Sequence, residues 1–132
     1  MASQREDFDQ LITSLGAEHQ WSCTSDQIEL SLLDGRRQQV HFEYFDHEEV
    51  AMVRFYTRIG STRRIQTERL VFALELNWKM PHGAMAVQGD TLALVETMPL
   101  AGASGPKVAS VVVFLAEMAD QYEKSMFGQD DY

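Results

Sequence analysis

The stretch QIELSLLDGRRQQVHFEYFDHEEVAMVRFYT, residues 27–57, decides the fold. Ile28, Leu30 and Leu32 alternate with Gln27, Glu29 and Ser31, the period of a half-buried strand. Asp34-Gly35 then offers a hairpin turn. The returning run puts Val40, Phe42 and Tyr44 on one face. After the polar break Asp46-His47-Glu48, a further run does the same with Ala51, Val53, Phe55 and Thr57. Connections this short join only antiparallel neighbours, because a parallel pair needs a crossover of a dozen or more residues. The polar alternates Gln27, Glu29, Gln39 and Glu43 predict that the other sheet face is wet.

Outward from this meander the period becomes helical. Ser3 and Glu6 have capping-box spacing, and Phe8, Leu11, Ile12 and Leu15 follow on one stripe until Gly16, which predicts a short amphipathic helix. Downstream, Leu70, Ala73, Leu74 and Asn77 make a second stripe, widened by Val71 and Trp78 and ending before Pro81. Met85 and Val87, the turn Gly89-Asp90, then Leu92 and Leu94 predict a second hairpin. Pro106 suits a first helical residue, and Val108, Val111, Val112, Leu115, Ala119, Tyr122 and Met126 keep helical spacing to Gly128. The expected class is α+β, a mainly antiparallel sheet with three helices on one face, in the order helix, four strands, helix, two strands, helix. The 132 residues suit one domain over 1–132.

Composition narrows function. Eleven Lys+Arg against 20 Asp+Glu give a net charge of −9, which repels a phosphate backbone, so no nucleic-acid partner is expected. The charge is uneven: residues 1–35 carry −6, residues 36–69 carry +2 and residues 70–132 carry −5. No apolar run is long enough to span a membrane, and no cleavable leader is read at the start, so no membrane association is expected. A single cysteine, Cys23, excludes an internal disulfide and suits a reducing compartment, which makes the cytoplasm the expected location.

The residues quoted above carry a likeness. Asp34-Gly35-Arg36 leading into Val40-His41-Phe42, Val53-Arg54-Phe55-Tyr56 before Ile59-Gly60, Leu74-Glu75-Leu76-Asn77, and Gly83-Ala84-Met85-Ala86 with Leu92-Ala93-Leu94 around Gly89-Asp90 resemble the YbjN family. A closing helix with Ala119-Asp120-Gln121-Tyr122-Glu123-Lys124 completes the likeness, which runs from the first helix to Phe127. The family's fold is that of the type III secretion chaperones. The resemblance implies a small α+β domain, often dimeric, that binds a protein or peptide segment and transforms no substrate.

Candidate sites are sparse. Arg36, Arg37, Arg54, Arg58, Arg63, Arg64 and Arg69 are seven of the eleven bases. Of these, Arg54 and Arg58 share one strand face with Tyr56 between them, so that Arg54, Tyr56 and Arg58 form a guanidinium–aromatic strip suited to carboxylate-bearing segments. This strip is the expected protein-binding site. His41, Glu43 and His47 are the densest set of metal-ligand types, and a small metal-dependent enzyme using them is the rival reading. An accessory subunit of a larger assembly is a third. Cys23 with His19 four residues earlier lacks the geometry of a nucleophile and base on a strand. Gly102-Ala103-Ser104-Gly105-Pro106-Lys107 has the wrong spacing for a phosphate loop and reads as a helix cap. No catalytic residue, metal or cofactor is expected.

Overall fold

A computed structural model describes residues 3–33 and 35–126. Helix α1 spans Gln4–His19; β1 (Ser22–Cys23), β2 (Gln27–Ser31), β3 (Arg37–His47) and β4 (Val50–Ser61) follow. After a single 3-10 turn, Thr62–Arg64, come α2 (Thr67–Leu76), β5 (Ala84–Gln88), β6 (Thr91–Pro99) and α3 (Gly105–Met126). The six strands form one sheet in the order β1-β2-β3-β4-β6-β5, every neighbour antiparallel. The expected α+β class and element order hold.

The alternation that predicted the strands is the alternation that buries them. Ile28, Val40, Phe42, Val53, Phe55 and Thr57 all face the core. From above, α3 lies across β3 and β4 and inserts Val108, Val111, Val112, Leu115 and Ala119, each fully buried. Beside it α1 contributes Phe8, Ile12 and Leu15, and the Phe8 ring sits 6.1 Å from Phe55 and edge-on to Tyr44. Each large side chain so buried is worth ~1.5–3 kcal/mol. Thr57, a buried hydroxyl on the inner face, donates to the Gln39 carbonyl at 2.7 Å and accepts from Gln38 at 2.8 Å, so it leaves no unmet polar atom.

Several local expectations change. Ser3 does cap α1, its Oγ accepting the Glu6 N–H at 3.1 Å. The helix nevertheless passes through Gly16 and ends at Gln20, which takes φ +64° and donates back to the Gly16 carbonyl. Gly16 serves close approach instead: a Cβ there would stand 2.7 Å from Cys23 Sγ. β3 also runs on through Asp46 and His47, and the break is the two-residue turn Glu48-Glu49, both at positive φ (50° and 69°). In the first hairpin Leu32 N–H donates to the Arg36 carbonyl at 2.7 Å around Gly35 at φ +83°; Asp34, the other turn residue read from sequence, lies outside the described residues, as does the helix end read at Gly128.

The hairpin is tied to α3 by charge. Arg36 Nε stands 2.8 Å from the buried Asp120 Oδ1, off the line of a hydrogen bond, while Lys124 reaches Asp120 Oδ2 at 3.2 Å and Arg36 reaches Glu123 at 2.8 Å. α2 departs from the expected three-helix layer. It sits at the rim against β5, and Arg69 on it donates to the Met126 carbonyl at 3.0 Å at the end of α3.

Candidate functional site

The helices cover one face of the sheet, and the other carries cross-strand rows. Register places Arg58, Ala93 and Ala86 in one row across β4, β6 and β5. The next row holds His41, Tyr56, Val95 and Ala84; beyond it stand Glu43, Arg54 and Thr97, then Phe45, Met52 and Pro99. Arg54, Tyr56 and Arg58 therefore do share the outer face of β4, as the sequence predicts.

The two arginines of that strip differ in state. Arg54 Nη1 contacts Glu43 Oε1 at 2.9 Å from the opposing strand, and its guanidinium lies 4.3 Å above the Phe45 ring. Both of its binding modes, ionic and cation–π, are already used within the chain. Arg37 is likewise engaged by Glu29 at 2.7 Å. The Arg58 guanidinium has no ion pair or side-chain acceptor among the described residues. Ala93 is its row neighbour on β6 and Gln39 lines the same depression, and neither is an acid.

Around Arg58 is a shallow depression of about 250 Å³ lined by Glu29, Arg37, Gln38, Gln39, His41 and Arg58 itself. His41 stacks on Tyr56, centroids 5.2 Å apart and planes at 20°. Burial holds the imidazole below its usual range, the Arg58 charge adds to the effect, and Asp26 opposes it. The depression's cationic lining is thus Arg58 and the Glu29-paired Arg37.

A second surface was not legible in the sequence. α2 turns Leu70, Ala73 and Leu76 inward and leaves Val71, Phe72 and Leu74 outside, and Trp78, in the turn that follows the helix, is 93% exposed. Leu74, expected on the buried stripe, is 62% exposed. The reason is that α2 is apolar almost all round, so periodicity marks no inner side. Exposed Val87 on β5 adds to the apolar ground. Phe72, Glu75, Leu76, Trp78 and Lys79 line a cleft of about 370 Å³ on this side. A third concavity, about 600 Å³, lies between the end of α1, β2 and α3, with Trp21, Leu30, Leu32 and Val113 among its apolar lining and Glu117 and Lys124 among its polar lining.

The remaining candidates do not assemble. Glu43 is held by Arg54, and His47 sits at the far end of β3 beside Glu48 at 4.0 Å. Among the described residues no three His, Cys, Asp or Glu come together as a metal site. Cys23 is half-buried, its thiol pushed up by burial and turned toward the Ile12 carbonyl at 3.9 Å. The Gly102–Lys107 loop caps α3: Ser104 Oγ accepts the Lys107 N–H at 3.3 Å, and Pro106 is the second helical residue. Among the described residues no helix is long and apolar enough to cross a membrane.

No protein-family model matches the sequence, and no curated protein matches it. Solved structures do match. The Yersinia pestis type III secretion chaperone SycH, solved in complex with a stable fragment of YscM2, superposes with a TM-score of 0.55 at 17% identity, over 87% of this chain and 98% of that one. A chain of the HopA1–SchA chaperone–effector complex superposes with a TM-score of 0.64 at 7% identity, over 94% of this chain and 98% of that one. At such identities the likeness is one of backbone. The chain has the fold seen in the structures of type III secretion chaperone complexes.

Proposed function

We propose that this chain is a non-enzymatic, chaperone-like protein-binding domain, a single domain of the YbjN type that works in the cytoplasm as a homodimer and holds a segment of another protein. The observation that carries the reading is the outer face of α2. Val71, Phe72, Leu74 and Trp78 stand in solvent on a fold whose structural neighbours were solved with protein partners. A contiguous apolar face of this kind marks an interaction surface. A second copy is its occupant here, since α2 against α2 gives a self-complementary two-fold contact.

Light scattering tests it. The parent protein is expected at about twice its 15.0 kDa chain mass, and Phe72→Glu with Trp78→Asp is expected at the chain mass with an unchanged circular-dichroism spectrum. A monomeric parent at micromolar concentration defeats the dimer. The same exposed face supports a second reading, an accessory subunit of a larger assembly. That reading takes over where the isolated chain aggregates and the native protein elutes in a mixed complex. Segment binding is tested by tagging any captured protein and recovering this chain in the reverse direction.

A further inference from the structure

Among the described residues, the basic segment of this acidic chain holds a cation without an ion pair, Arg58. Arg54 and Arg37 each face a carboxylate across the sheet, at 2.9 and 2.7 Å. Arg58, on the same face, meets an alanine on β6 and shares its depression with the amide of Gln39. The one acid lining the depression, Glu29, is already engaged by Arg37 and by Gln39 at 3.4 Å. Beside Arg58 the ground turns apolar: Ala93 and Ala86 continue its row, and Tyr56, Val95 and Ala84 make the next. Neither α1 nor α3 packs on this side.

We infer that the open sheet face seats an acidic protein segment, with an Asp or Glu carboxylate on Arg58 and neighbouring apolar side chains on Tyr56, Val95 and Ala84. The inference rests on the protein-binding reading and narrows it. Charge complementarity selects the occupant: a free guanidinium prefers a carboxylate, and a charge-assisted pair beside apolar ground is stronger than an amide contact. Arg54, the other arginine of the strip, is a structural pair. A segment crossing from β3 to β5 covers three strand spacings of ~4.8 Å, which about five extended residues span at ~3.4 Å each.

The test uses the full chain and an array of random-sequence peptides of about eight residues, long enough for that crossing. Bound sequences are then resynthesised with each acid replaced by its amide, and affinities are read by fluorescence anisotropy. Acidic peptides are expected to be enriched, and acid-to-amide replacement to weaken binding about tenfold. Arg58→Ala is expected to abolish that tenfold preference and Arg58→Lys to keep part of it, while Arg54→Ala leaves it standing. Thermal melts of each variant confirm folding. Peptides bound with no acid preference, or a preference that survives Arg58→Ala, overturn the seat and leave the protein-binding reading intact. An array with no bound peptide overturns segment binding and the seat together. Suppression of peptide binding by rising protein concentration assigns the face to a second copy and overturns the proposal.

Discussion

The Asn77 side chain holds the backbone of Met85 from both sides: its Oδ1 accepts the Met85 N–H at 2.6 Å and its Nδ2 donates to the Met85 carbonyl at 3.4 Å. β5 is an edge strand, AMAVQ, without a charge, and such an edge invites pairing with another chain. One amide at the end of α2 takes the place of a neighbouring strand near the start of β5.

Replacing that amide should therefore have two readouts. Asn77→Ala is expected to cost about 2 kcal/mol, for two hydrogen bonds of ~1 kcal/mol each, measured by urea denaturation. Hydrogen exchange at the Met85 amide should accelerate, and the variant should aggregate sooner. Asn77→Asp, which keeps the acceptor and loses the donor, should fall between parent and alanine variant. A Met85 amide that exchanges at the parental rate in Asn77→Ala removes the lock.

The β3–β4 turn stores backbone strain. Glu48 and Glu49 both occupy positive φ, which costs a side-chain-bearing residue roughly 1–2 kcal/mol, and two-residue hairpin turns of this hand favour Asn-Gly. The double substitution Glu48→Asn with Glu49→Gly is expected to raise stability by about 1 kcal/mol, or a few degrees in Tm for a domain of this size. Differential scanning calorimetry decides it, and an unchanged or lower Tm counts against the strain.

Gly16 and Cys23 should behave as a coupled pair. In an ordinary helix interior, Gly16→Ala would stabilise by about 0.5–1 kcal/mol. Here the new Cβ meets Cys23 Sγ at 2.7 Å, so the expected result is a loss of about 1–3 kcal/mol, the usual cost of overpacking. Cys23→Ala removes the obstructing sulfur, and in that background Gly16→Ala should be neutral or stabilising. A double-mutant cycle with no coupling energy would refute the contact.

Tyr44 predicts a response to alkali. Burial, followed by the hydrogen bond to the Asp9 carboxylate and that group's charge, holds its phenol well above the usual range, with Arg5 opposing. A native pKa above the unfolded value means that the native state keeps the proton when the unfolded chain has lost it. The contribution is complete below about pH 10, the unfolded value, and is lost as pH rises above it. Stability of the parent should fall above pH 10, and Tyr44→Phe should flatten that slope. Tyr122, also pushed up by burial, leaves a residual slope in the variant. Equal slopes in both proteins would contradict the assignment.

Strand alternation, turn residues and caps are local properties, and they suffice for the α+β class, the antiparallel meander and the element order. Ile28, Val40, Phe42, Val53 and Phe55 read as core from their spacing because a strand offers only two faces. The outer-face strip Arg54, Tyr56 and Arg58 was legible for the same reason. Which arginine is free was not legible: register sets Glu43 opposite Arg54 and Ala93 opposite Arg58, so among the described residues the first has an ion pair and the second has none, and register joins residues far apart in sequence. α2 failed to declare its inner side because a helix apolar around most of its circumference has no marked stripe, so only packing against β5 and α3 exposed Phe72, Leu74 and Trp78. Gly16 reads as a helix end by composition, yet its lack of a side chain serves the approach of Cys23, a contact that exists once α1 is laid against β1. Sequence periodicity thus determined what each segment is, and tertiary contact alone decided which of its polar and apolar groups were left exposed.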